Sequence, residues 1–234
     1  MYINAMQLDF GSMVKWLPTF LEGALLTVVI SLLVVILGSM IGLIATLLKR
    51  SKFKILRFIA TAYTQIIRGT PMLLQLYIWV FGLPIFGIKL PTIGFLGVYG
   101  SRDFLTAVLA LSINSGAYVC ELLRGGLDAI DKGQMEAGRS LGLSQAQTMR
   151  LIIIPQAVKV ILPGLCNEFI QMIKESSIVS VIGVFDVMYT QTIIKAATYR
   201  TFEPLVVIAI IYFILTTILT SIMGVIERKM NKDA

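Results

Sequence analysis

Residues 23–48 contain no charged side chain, and Lys49, Arg50, Lys52, Lys54 and Arg57 follow at once. At about 1.5 Å per residue, such a run is long enough to cross a hydrocarbon core about 30 Å thick. In that core an α-helix satisfies its backbone polar groups internally, so the run calls for a membrane-spanning helix. It begins after mixed residues and is too long for the apolar region of a secretory leader, so a cleavable signal peptide is not expected.

Further runs of the same kind divide the rest of the chain. A second apolar stretch covers 58–86, interrupted by Arg68, Gly69, Thr70 and Pro71, and the Gly- and Pro-rich stretch 82–100 reads as a connecting loop. Others cover 103–123, 151–173 with Pro155, Pro163 and Glu168, and 205–226, which is followed by Glu227, Arg228, Lys229 and Lys232. Residues 176–194 are apolar but broken by Gly183 and Asp186, and read as a partial or re-entrant element. Composition agrees, since 57% of residues are hydrophobic and only 14% charged, against about 25% charged in soluble domains. The expected fold is one all-α integral membrane domain over 1–234, with about five transmembrane helices.

The distribution of Lys and Arg sets the expected orientation. With the N-terminus outside and five spans, three positive clusters (49–57, 124–150 and 228–232) face the cytoplasm, while outer loops keep only scattered positives such as Lys89, Arg102, Lys195 and Arg200. The net charge of +7 is therefore read as loop charge, and nucleic-acid binding is not expected. Histidine is absent, and Cys120 and Cys166 lie far apart in apolar segments, so neither a metal site nor a catalytic site is expected. No G-x-x-x-x-G-K-[ST] phosphate cradle is present.

Ionisable and polar groups at membrane depth are candidates for function. Arg68 and Glu121 read as structural, paired with each other or snorkelling, and Lys174 and Glu175 as ion-paired caps of the fourth span. Asn167 and Glu168 follow Pro163 by one turn, with Gln171 one turn further, and Thr70 and Pro71 interrupt the second stretch with Gln75 on nearly the same face. Broken helices of this kind often line transport sites. Thr70, Pro71, Asn114, Asn167, Glu168 and Gln171 are therefore expected to face a polar substrate path, with Glu168 meeting an ammonium or another cationic group. Polar residues that merely hold helices together are the competing account.

The stretch 124–150 carries the most specific pattern. Glu136-Ala137-Gly138 is followed by three residues, Gly142, nine residues, and then Ile152-Ile153-Ile154-Pro155. This resembles the Glu-Ala-Ala loop of ABC importer permeases in both spacings, with Gly138 in place of the second Ala and Ile154 in place of Leu. Ala117 to Gly126, Arg68-Gly69-Thr70-Pro71, Gly23-x-x-x-Thr27, Asn167-Glu168-Phe169 and Lys174-Glu175-Ser176-Ser177 extend the resemblance, toward the polar amino acid uptake branch that serves histidine, glutamine, glutamate, arginine and related solutes.

The resemblance implies a type I ABC importer fold and a multi-pass permease of the bacterial inner membrane. It implies ATP-binding cassette subunits docked through Gln134, Glu136, Ala137, Gly138, Arg139, Leu141 and Gly142. ATP and magnesium sit on those partners, and no cofactor sits on this chain. A second permease copy or paralogue, an extracytoplasmic amino-acid-binding protein, a polar amino acid substrate and membrane lipid complete the expected set of partners. A stand-alone secondary transporter or channel would need no docking loop, a membrane scaffold or sensor would transport nothing, and an intramembrane protease would need a nucleophile–base pair that is not apparent.

Overall fold

The computed structural model describes residues 8–91 and 102–232, and among these there are helices but no strand. Of the loop expected over 82–100, the part from 92 onward lies outside the described residues. Helix α1 (Leu17–Lys49) is preceded by a short 3-10 turn (Gly11–Trp16). Then come α2 (Lys54–Arg68), α3 (Met72–Ile85), α4 (Arg102–Asp128), the short α5 (Lys132–Ser140) and α6 (Gln145–Thr148), α7 (Ile154–Glu175), α8 (Thr190–Thr198) and α9 (Phe202–Lys232).

Four stretches are long and apolar enough to cross a membrane: Gly11–Lys49, Asp103–Asp128, Gln145–Ile182 and Phe202–Val225. The stretch expected as one span over 58–86 is two helices, α2 and α3, bent by 109° and counting as a fifth span if taken together. The physical reason is Pro71. It has no N–H to donate and disfavours helical backbone at Thr70, so Pro71 adopts extended geometry (φ −62°, ψ 137°) before α3 begins.

Helix α4 lies at the centre, with Phe104, Ala107, Ala110, Leu111, Ala117 and Val119 buried. It meets α1 at glycines. A Cβ on Gly38 would lie 2.9 Å from Ser115, one on Gly42 2.7 Å from Val119 and 2.9 Å from the Gly116 carbonyl, and one on Gly116 2.7 Å from Ile41. Backbone therefore approaches backbone, the small-residue mode of helix packing in membranes. Further along, the Thr46 hydroxyl donates to the Cys120 carbonyl (3.2 Å) and Lys49 pairs with Glu121.

These contacts advance together along both helices, so α1 and α4 run parallel, and the return between them falls to α2 and α3. Helix α7 runs against α4, because Ser115 meets Glu168, Leu122 closes on Gly164, and Ile161 closes on Gly126. Helix α9 runs with α1: the Asp9 N–H donates to Glu203, and Ile208 shares a buried cluster with Phe20 and Ala24.

Residues 176–194 form a 3-10 turn (Ser176–Ile182), a left-handed Gly183 (φ 79°), an irregular loop and the start of α8. The Gly23-x-x-x-Thr27 pattern acts here. A Cβ on Gly23 would lie 2.9 Å from both the Asp186 carbonyl and Val187 Cα, and Thr27 Oγ1 accepts the Val187 N–H at 3.1 Å. The buried Asp186 carboxylate accepts the Tyr189 N–H (2.8 Å) and faces the Tyr212 hydroxyl of α9 (3.4 Å), so the loop is tied to both flanking helices.

Gly42→Ala is expected to destabilise the protein by about 1–3 kcal/mol, because backbone would have to move to admit the methyl. Gly125→Ala, on the same helix system but with nothing within 4 Å of the new carbon, is expected to stabilise it by about 0.5–1 kcal/mol. Thermal unfolding of the two variants in detergent checks the opposite signs.

Candidate docking helix and polar cavity

Two features stand out, at different levels of the bundle. The first is the α5–α6 segment. Asp131 opens α5 by accepting the Gly133 N–H at 2.6 Å. The helix closes at Gly142 (φ 86°), where Leu143 N–H reaches the Gly138 carbonyl (3.2 Å) and Gly142 N–H reaches Arg139 (3.1 Å). That paired closure is a Schellman motif, which needs a residue that tolerates left-handed backbone. Ser144 and Gln147 then form a reciprocal capping box that starts α6.

Within this segment the expected docking residues divide. Glu136, Ala137 and Leu141 point outward, and Leu141 is 80% exposed. Gln134 accepts from the Gln156 amide (3.2 Å), and Arg139 donates to the Leu143 carbonyl (2.9 Å), so these two brace the segment from within while also lying at its surface. Gly138 is buried, and a Cβ there would lie 2.5 Å from Thr148 Cγ2 and 3.1 Å from Ile152 Cδ1. The departure from Ala at this position thus has a local cause, since α5 rests directly on Thr148. From there a π-helical segment (Met149–Ile153) leads into α7, whose first turn holds Pro155. The proline has no N–H to donate, which leaves a backbone carbonyl of the preceding turn without its usual partner.

The second feature is a cavity of ≈ 390 Å³ between α4 and α7, lined by Tyr118, Leu122, Gly164, Asn167, Glu168, Gln171, Met172 and Glu175. Asn167, Glu168 and Gln171 come together there, as residues three and four apart do on one helix face. Glu168 accepts a hydrogen bond from the Ser115 hydroxyl at 2.7 Å, and Gln171 donates to Glu175 at 2.8 Å. Thr70, Pro71 and Asn114 are not among its lining residues. They belong to an adjoining knot in which Gln75 Nε2 donates to the Ile67 carbonyl (2.7 Å), the Thr70 carbonyl (3.0 Å) and the Thr70 hydroxyl (2.8 Å), while Asn114 donates to Gln75 Oε1 (2.9 Å).

Two expectations are corrected. Arg68 and Glu121 do not pair with each other. Glu121 binds Lys49 and Arg124 (2.9 Å), Arg124 and Arg50 both bind Asp128 (3.1 and 2.9 Å), and Arg68 stacks over the Tyr118 ring at 5.4 Å. The charge of Glu121 is met from its own helix and from α1, which the parallel packing brings alongside. Nor do Lys174 and Glu175 form ion-paired caps: no ion pair of either is present among the described residues, and Glu175 turns into the cavity. The sequence reading missed Tyr118 as a cavity residue and Ser115 as the buried partner of Glu168. Their signal was the i, i+3 spacing on α4, which has no meaning until α7 is known to pack there.

Comparison with known proteins follows from this geometry. Residues 38–232 match the family model described as binding-protein-dependent transport system inner membrane component. The arginine transport system permease protein ArtQ of Bacillus subtilis is 42% identical over 97% of this chain and 100% of its own. The glutamine transport system permease protein GlnP of Escherichia coli is 36% identical over 97% and 99%. Among solved structures, a chain from the crystal structure of an amino acid ABC transporter with histidines superposes with a TM-score of 0.88 at 46% identity, covering 96% of this chain and 100% of that one. A chain of the MetNI methionine ABC transporter shares the fold (TM-score 0.73, 17% identity, 92% and 98% covered).

Gly138→Ala is expected to lower the unfolding temperature of the purified chain, despite restoring the commoner residue, because the methyl meets Thr148 Cγ2. The double variant Gly138→Ala/Thr148→Ser removes that methyl group while keeping the hydroxyl bond to the Ser144 carbonyl (3.0 Å). It is expected to recover most of the loss in a double-mutant cycle.

Proposed function

The chain belongs to the family of binding-protein-dependent transport system inner membrane components, as the permease subunit of an ABC importer, and from that premise we propose that it imports polar amino acids by alternating access. The observation that carries the substrate assignment is the cavity where Asn167, Glu168 and Gln171 converge, with Glu168 held by Ser115. Two carboxylates on one wall favour a ligand carrying positive charge, and the names of the relatives, which specify arginine and glutamine, agree with an amino acid cargo.

The helix α5 is the docking element for an ATP-binding subunit, with Glu136, Ala137 and Leu141 forming the contact and Gly138, Gly142, Gln134 and Arg139 keeping it rigid. ATP and magnesium belong to that partner, and this chain performs no covalent chemistry. Closure of the ATP-binding subunits moves α5, and the close seat of Gly138 on Thr148 passes the movement through the π-helical segment into α7, which carries Glu168. A movement of this kind shifts the population between outward-open and inward-open states.

The bacterial inner membrane is the setting. The N-terminus lies outside and the C-terminus inside, a reading supported by α1, α4 and α9 running parallel and by Lys49, Arg50 and Arg124 sharing the end of the bundle that bears α5. Thr70, Pro71 and Asn114 shape the path from the side of the α2–α3 break rather than lining the cavity. A second permease copy or paralogue completes the pathway, and an extracytoplasmic binding protein delivers the amino acid.

The test is amino-acid-stimulated ATPase activity in liposomes holding the permease, its ATP-binding subunit and its binding protein. Glu136→Lys is expected to reduce stimulation at least about tenfold, the equivalent of roughly 1.4 kcal/mol at a docking hot spot. Glu168→Gln is expected to leave association with the ATPase intact while abolishing stimulated transport. Undiminished transport by Glu168→Gln would remove the carboxylate from the substrate path.

A further inference from the structure

We propose that Tyr199, at the corner between α8 and α9, is a side chain on which the extracytoplasmic binding protein docks. The proposal rests on the importer reading above, in which such a protein delivers the amino acid, and names a point of this chain that receives it.

Tyr199 closes α8 in an unusual way. Its N–H donates to the Lys195 carbonyl at 2.8 Å, and its backbone is left-handed (φ 58°), the sole non-glycine with positive φ among the described residues. A helix end of this kind is ordinarily made by glycine, or by asparagine, because a Cβ crowds the following carbonyl there. For a bulky ring the conformation is an outlier, and strain of this sort persists where it positions a group for use. Packing does not offset the strain, since Tyr199 is 87% exposed. Nor does service as a membrane-boundary anchor require it, because tyrosines gather at such boundaries on ordinary helical backbone.

The corner that carries the ring is fixed in place. Arg200 pairs with Asp9 (3.4 Å) and with Glu203, and the Asp9 N–H donates to Glu203 (3.3 Å). The Thr198 hydroxyl, bonded to the Ile194 carbonyl (2.7 Å), accepts the Arg200 N–H (3.3 Å). This cluster joins the N-terminal turn to the α8–α9 connection and brings the neighbours of its members to one corner. Leu8 and Phe10 flank Asp9, Tyr199 precedes Arg200 and Phe202 precedes Glu203, and all four are exposed. Tyr199 lies outside the apolar stretch Phe202–Val225. Because α9 runs with α1, the corner sits at the end of the bundle away from α5, the outer end in the orientation proposed above. Apolar side chains left exposed around a charged cluster mark a surface for another protein, and tyrosine beside arginine is typical of binding hot spots. The chain's family is binding-protein-dependent, which supplies a protein partner on that side. The complementary feature on the partner is an apolar pocket that admits one aromatic ring.

The experiment reads two quantities on the permease–ATPase complex in nanodiscs. One is its unfolding temperature, and the other is the Kd of its binding protein, loaded with L-arginine or L-glutamine, by biolayer interferometry. Tyr199→Gly removes the ring and the left-handed strain together, and the relief exceeds the freedom that glycine adds to the unfolded chain. It is therefore expected to hold or raise the unfolding temperature while weakening the binding protein about tenfold or more. Tyr199→Asn, which tolerates left-handed backbone, is expected to move both quantities the same way, and Tyr199→Phe, which keeps the ring, to stay near wild type in both. An unchanged Kd in Tyr199→Gly overturns the docking assignment, and the ring then belongs to the membrane boundary. A lowered unfolding temperature in Tyr199→Gly also overturns it, because the residue then supports the fold. Either result leaves the importer reading standing. A wild-type complex that neither binds the loaded protein nor is stimulated by it overturns the importer reading as well.

Discussion

The close approach of α1 to α4 is the constraint on which the rest of the molecule depends. Lipid tails are as apolar as leucine, so burying apolar side chains does not drive two helices together inside a bilayer. Backbone proximity and interhelical hydrogen bonds must do it. Gly38, Gly42 and Gly116 remove the side chains that would hold the helices apart, and Thr46 adds a hydrogen bond across the gap. With that contact made, Lys49 meets Glu121, and the charged end of α1 is joined to the end of α4 from which the α5 segment departs.

Helix α4 then serves as a platform with two working positions side by side. Asn114 holds the amide of Gln75, and through it the backbone of the α2–α3 break. Ser115 holds the carboxylate of Glu168 on α7. The polar groups of the interior thus hold helices together, and Glu168 among them also lines the cavity. The hydrogen bond from Ser115 that fastens α4 to α7 also fixes the direction of Glu168, which faces the cavity.

The path from α5 to the cavity has a comparable economy. Gly138 lets the backbone of α5 sit on the Thr148 side chain, the segment's caps are closed within itself, and α7 begins at Ile154, with Pro155 in its first turn, after a π-helical widening. A compact, internally satisfied helix moves as a unit. After it come the π-helical turn and Pro155, where a backbone carbonyl of the preceding turn lacks its usual partner.

The sequence by itself determined the membrane class and the number and approximate place of the apolar stretches, and its spacing over 136–155 carried the resemblance to ABC importer permeases. The apolar stretches follow from local rules, charge-free length and helix breaking by proline. It also picked out Asn167, Glu168 and Gln171, because three residues on one helix face share a side in any packing. What it could not supply was the partner of each polar group. Nothing local says that Glu121 pairs with Lys49 rather than Arg68, that Glu175 turns inward, or that Thr70 and Asn114 build a knot beside the cavity. Ser115 and Tyr118 look like two unremarkable residues of α4 until α7 and α2 are laid against them. Those relations depend on the register between helices, which the tertiary structure decides through where glycines permit close approach, and that information resides in pairs of distant positions rather than in any one stretch of chain.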